Sequence, residues 1–135
     1  MKTYSESIPL QSSKPREAIN IHSQVKAAVE KSACREGVCV VSSLSRESAL
    51  VLLQPDSDFF RDFQAWLDQL GADPQSQAGA FGASFPVGLQ SLLLGQQLTI
   101  PFSEARLDIV PGEAVFFIEL SGVRPRRVVL KILGE

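Results

Sequence analysis

Histidine is the scarcest functional group in this chain: of 135 residues only His22 carries an imidazole. A hydrolase or transferase working near neutral pH usually relies on such a base, and the sequence sets no triad partners beside it. Placed at the entrance of a predicted helix, His22 is expected to be a surface or capping residue. Zinc asks for three or four His, Cys or carboxylate ligands, and no HxH, HxxxH or CxxC spacing occurs. Cys34 and Cys39 stand five apart, which suits neither a redox pair nor a zinc knuckle. Both are expected to be reduced, small core or sub-surface residues, and no cofactor or metal is expected.

A charge excess of one sign is lacking too. The formal net charge is -2 and no long block of like charge occurs, which argues against a nucleic acid or an anionic membrane as partner. The longest apolar runs, Ala49 to Leu53, Leu92 to Leu94 and Ala114 to Ile118, are too short to span a bilayer. The opening Met1-Lys2-Thr3-Tyr4-Ser5-Glu6 contains no apolar signal segment, so a cytoplasmic location is expected.

What is present is a chain with 44% hydrophobic and 21% charged residues, enough for one globular domain over residues 1–135. Tyr4, Ile8 and Leu10 fall on the alternate positions of a half-buried strand over Thr3 to Leu10. After the polar turn Gln11 to Pro15, Ile19 and Ile21 suggest a second strand returning as a hairpin. Val25, Ala28, Val29 and Ala33 then form an amphipathic stripe, predicting a first helix from about Ser23 to Cys34 with Gly37 as its stop. The β-branched and apolar runs Val38 to Val41 and Ala49 to Leu53 read as central strands.

A second helix, capped by Asp56 or Ser57, carries Phe59, Phe63, Trp66, Leu67 and Leu70 at helical spacing and stops at Gly71. Phe59, Phe60, Phe63 and Trp66 are expected to be a core face, not a ligand box. Asp56, Asp58 and Asp62 fit the cap and the solvated side. Between Gly71 and Gly88 the sequence has no period and reads as a long loop. Its Gly79, Gly82 and Gly88 lack the spacing of a phosphate-binding loop.

Leu89 to Leu94 predicts a short helix, followed by strands Gln97 to Pro101, Arg106 to Val110, Ala114 to Leu120 and Arg127 to Leu133. Val110-Pro111-Gly112-Glu113 has the residues of a type II turn. Nearly every side chain of Ala114 to Leu120 is apolar, so both faces of that strand should be covered. A two-layer α+β sandwich, an antiparallel sheet with two main helices, follows.

One concentrated positive feature, Arg124, Arg126 and Arg127, opens the last strand. Guanidinium forks suit phosphate or carboxylate, which makes an anion site one reading. A solvated edge or an ion pair across a subunit contact is the other.

The stretch Leu92-Leu93-Leu94-Gly95-Gln96-Gln97-Leu98-Thr99-Ile100-Pro101, the strand Val115 to Glu119 and the ending Gly122 to Glu135 resemble the YjbQ-like family. Met1 to Tyr4, the first-helix region and Gly37 to Val41 are similar in the same order. The resemblance implies an antiparallel α+β sandwich assembling as a homotrimer, with members described as weak, secondary thiamine-phosphate synthases. It also implies a cleft built from a His-Thr-Thr segment, an Asn-Glu pair and a His-x-His segment. Here those positions are Ser45-Arg46-Glu47, Leu53-Gln54 and Pro86-Val87-Gly88, so the imidazoles are gone.

The expectation is therefore a YjbQ-like protein without the metal-dependent reaction, retained for small-anion binding or assembly and not first expected to be an enzyme. Ser45, Arg46, Glu47 and Gln54 are the candidates for any remaining chemistry. The rival is a metal-independent enzyme that positions a phosphorylated small molecule through Arg46, Glu47 and the Arg124, Arg126 and Arg127 cluster.

Overall fold

Side chains that alternate between two apolar environments need a sheet with a core on each side, and the strand Ala114–Glu119 is the centre of such a sheet. The computed structural model describes residues 1–72 and 87–135. Eight strands and three helices are described: β1 (Lys2–Gln11), β2 (Ala18–Asn20), α1 (His22–Lys31), β3 (Gly37–Ser43), β4 (Ser48–Leu53), α2 (Asp58–Ala72), α3 (Val87–Leu94), β5 (Gln97–Ser103), β6 (Arg106–Leu107), β7 (Ala114–Glu119) and β8 (Pro125–Gly134). They form a five-stranded sheet in the order β1-β8-β3-β5-β6 and a three-stranded sheet in the order β2-β7-β4. Every described pairing is antiparallel.

Period-2 alternation along β7 explains the layering. Val115 and Phe117 enter one core with Ile8, Val41, Ile100 and Leu130 of the large sheet, which α1 joins through Val25, Ala28 and Val29. Ala114, Phe116 and Ile118 point the other way, into a second core with Leu53 and with Leu67, Phe60 and Phe63 of α2. The architecture is thus α+β, but with the layers sheet, sheet and helices instead of the two expected. As the sequence required, all six residues of β7 are buried.

The expected hairpin between the first two strands does not form. β1 runs its full length along β8, from Lys2↔Gly134 to Gln11↔Pro125, whereas β2 pairs with β7 in the other sheet. Burial decides this: Ala18 and Ile19 pack on opposite cores, which only a strand of the small sheet can reach. The chain reverses at Arg16, whose φ of 59° is left-handed. Its guanidinium holds the reversal by donating from Nε to Leu67 O (2.6 Å), from Nη1 to Leu120 O (2.9 Å) and from Nη2 to Gln90 Oε1 (2.8 Å).

Other boundaries shift for local reasons. Helix α1 starts at His22, with Asn20 Oδ1 accepting the His22 N–H at 2.9 Å. It ends at Lys31, and Ala33, at φ 59°, turns the chain before Gly37 is reached. Gly37 serves packing instead, because a Cβ there would lie 2.0 Å from Leu133 O. Ser57 caps α2 by accepting the Phe60 N–H at 3.0 Å, and that helix continues past Gly71 to Ala72. Phe60, Phe63 and Leu67 of this helix enter the core, whereas Phe59 and Trp66, expected on the core face, are 66% and 39% exposed.

Strand β6 covers only Arg106–Leu107, ending before the expected Val110, where the Val110–Glu113 turn begins. That turn closes with the Glu113 N–H on Val110 O at 3.0 Å and φ +91° at Gly112, the type II geometry expected. Both cysteines are buried and unpaired, and burial pushes the Cys39 thiol up to about 11. The expected Gly71 to Gly88 loop lies outside the described residues except where its ends belong to α2 and α3. None of the described helices is long and apolar enough to cross a membrane.

Candidate functional site

A carboxylate at the end of a fully buried strand must find a cation, because desolvating an unpaired charge costs several kcal/mol. Glu119, the last residue of β7, is fully buried and meets Arg126 of β8. Arg126 donates from Nε to Oε1 at 2.8 Å and from Nη2 to Oε2 at 2.9 Å, the bidentate fork that Arg makes with carboxylates. The Ser121 N–H adds a third donor to Oε2 at 3.1 Å. Burial alone would push the Glu119 carboxyl up; the Arg126 guanidinium and the Ser121 and Gly122 amides outweigh it and hold it below the usual carboxylate range. Hydrogen bonding to Glu119 in turn raises Arg126.

The network extends outward through Glu47. Its Oε1 lies 3.7 Å from Arg126 Nη2 and 3.5 Å from Arg124 Nη1. Two of the three expected anion-binding arginines, Arg124 and Arg126, therefore face carboxylates of their own chain. Arg127 is exposed and has no ion-pair partner among the described residues. It lines, with Leu44, Ser45, Pro125 and Arg126, an open cavity of about 360 Å³.

Ser45 reaches this cavity from the β3–β4 connection, where its Oγ accepts the Glu47 N–H at 3.0 Å. Arg46 is exposed beside it. Gln54 is not brought to the same place, because it follows the far end of β4. The five steps from Ser48 to Leu53 span roughly 17 Å at strand rise. Gln54 lies instead against the turn, 3.4 Å from where a Cβ on Gly112 would be. Leu53 is buried in the second core, and Val87 packs on it as well. Gly88 belongs to α3, and Pro86 lies outside the described residues.

The donor set at Ser45-Arg46-Glu47, Leu53-Gln54 and Val87-Gly88 does not fit a metal. Serine, arginine, leucine, glutamine, valine and glycine offer no imidazole or thiolate, and the one carboxylate, Glu47, is held between two guanidinium groups. Among the described residues no three His, Cys, Asp or Glu side chains converge as metal ligands.

Sequence reasoning passed over two groups. Glu119 closes an otherwise apolar run, and a carboxylate in that place signals a buried cation partner. His22, expected at the surface or as a cap, is half-buried at the start of α1, and its Nδ1 accepts the Val115 N–H at 3.4 Å. Burial, with the nearby Lys26 charge, lowers its pKa. Its spacing of four from Lys26 on one helix was the available signal.

Two antiparallel sheets packed face to face, with helices over the outer face of the smaller, define an α+β class shared with several solved structures. A YbjQ-like protein of unknown function from Sulfolobus solfataricus superposes with a TM-score of 0.82 at 23% identity, covering 99% of each chain. A YjbQ/UPF0047 family protein from Clostridium acetobutylicum gives 0.81 at 24% identity over 95% of this chain and 99% of that one. Among curated relatives, a UPF0047 protein of Methanothermobacter thermautotrophicus is 29% identical over 136 aligned positions, covering 100% of this chain and 95% of its own. The family model described as UPF0047 protein YjbQ-like matches residues 6–135, and this chain belongs to that family.

Proposed function

We propose that this chain is a small-anion-binding member of the YjbQ-like family that has lost the metal-dependent secondary thiamine-phosphate synthase reaction. One observation carries the reading: Ser45 and Arg127, which has no ion-pair partner among the described residues, line one cavity. The family resemblance implies a His-Thr-Thr segment where Ser45-Arg46-Glu47 stands. A hydroxyl and a guanidinium can hold an oxyanion, but neither transfers protons near neutrality. Glu47, the residue a metal-independent enzyme would use as base, is instead a counter-ion to Arg124 and Arg126. The buried Leu53 supports the same reading, since it packs apolar bulk where the family motif places a polar group. Homotrimeric assembly and a cytoplasmic location belong to the proposal through the family resemblance, and light scattering of the purified chain tests the former.

Calorimetric titration with inorganic phosphate and pyrophosphate, beside a turnover assay with hydroxymethylpyrimidine pyrophosphate and thiazole phosphate, tests the function. Saturable binding that Arg127→Ala abolishes, without turnover, is the expected result. Turnover matching that of a histidine-bearing family member would overturn it.

A further inference from the structure

A second cavity, of about 300 Å³, opens on the other side of β7 from the second core, between α1 and the segment from β6 to the Val110–Glu113 turn. That volume is at the lower end of the range for metabolite sites. His22 and Lys26, four residues apart on one face of α1, form one wall. Arg106 and Glu113 contribute the opposing charges, and Ile109 and Val110 supply an apolar floor.

The cavity brings together two cations that make no ion pair: among the described residues neither Lys26 nor Arg106 has an ion-pair partner, unlike Arg124 and Arg126. The Val115 N–H fixes the neutral His22 ring with its acceptor on Nδ1 and its proton on Nε2, a donor. Arg106 is presented by a two-residue hairpin whose Glu104 and Ala105 both have left-handed φ, 51° and 61°. Neither residue is of the type that favours those angles, so the chain holds a strained turn where Arg106 enters the cavity.

We propose that this cavity is a binding site for a small organic oxyanion, held at its phosphate or carboxylate head by Lys26, Arg106 and the His22 Nε2–H. The apolar body of the ligand lies on Ile109 and Val110. Glu113 accepts a hydrogen bond from a hydroxyl or amine on the ligand, and it rejects a second anionic group. This site is separate from the Ser45 and Arg127 cavity and does not depend on it.

Phenyl phosphate and benzoate titrated into ¹⁵N-labelled protein supply the head and apolar body and distinguish the two head groups. Saturable amide shifts at His22, Lys26, Arg106, Glu113 and Val115 are expected with at least one probe. Lys26→Ala and Arg106→Ala should each weaken the affinity at least tenfold, and Glu113→Gln should strengthen it for these donor-free probes. Arg127→Ala should leave it unchanged. Both alanine substitutions remove exposed side chains, so the dispersed spectrum of the folded protein is retained as the internal control. Absence of saturable shifts with both probes, shifts confined to Ser45 and Arg127, or affinities unaltered by both alanine substitutions would overturn the proposal.

Discussion

Two groups of cations in this molecule have different surroundings. Arg124 and Arg126 meet Glu47 and Glu119 within 4 Å, whereas Lys26 and Arg106 line a cavity with Glu113 and make no ion pair among the described residues. The first arrangement is structural electrostatics, a bidentate pair sealed under strands and tied outward to a second carboxylate. In the second, solvent or a ligand must supply the counter-charge. Clustered arginines in a sequence are thus a poor guide to where a protein binds anions; what matters is which of them the fold has left unneutralised.

The comparison breaks most visibly at Arg126. Arg126→Ala strands the buried Glu119 carboxylate and should cost about 3–5 kcal/mol in urea unfolding, with an unchanged m-value. Glu119→Gln should cost less and change the pH dependence. The folded-state pKa of Glu119 lies below its unfolded value, so its stabilisation is present above the ordinary carboxylate range and is lost as pH falls through the folded pKa. Thermal midpoints of Glu119→Gln should therefore fall less steeply on acidification than those of the parent chain. Arg16→Ala, which frees Leu67 O and Leu120 O from their donor, should cost about 1–3 kcal/mol by the same unfolding assay. Arg124→Ala, at the exposed end of the network, should cost less than about 1 kcal/mol and lose its effect at high salt. Lys26→Ala and Arg106→Ala should leave stability within about 0.5 kcal/mol, which separates an unspent cation from a structural one.

Much of the frame was legible because it depends on periodicity and turn chemistry. The continuous apolar run of β7 demanded cover on both faces and received it, and Pro111-Gly112 specified its turn. Pairing across the chain was not legible: β1 and β2 are adjacent in sequence yet belong to different sheets, because Ala18 and Ile19 must each find a separate core. Phe59 and Trp66 show the limit of helical spacing, which marks a stripe but not how much of it the neighbouring sheet can cover. At the candidate site, the scarcity of histidine could be read directly, and so could the presence of Ser45 beside Arg46. That Glu119 would claim Arg126 follows from how β7 and β8 meet in space, which no local pattern encodes, whereas the strand-length between Ser45 and Gln54 was already implied by the apolar run Ala49 to Leu53.

The position of β8 between β1 and β3 has a kinetic consequence. Its partners are more than eighty residues earlier in the chain, so β1 is not joined to the rest of the large sheet until Pro125–Gly134 has been synthesised. Closing such distant contacts is slow. Until then β1 has no partner strand and β3 is paired only on its β5 side, and such open edges are prone to pairing with other chains. Shielding by a chaperone should therefore matter most just before the final strand emerges from the ribosome.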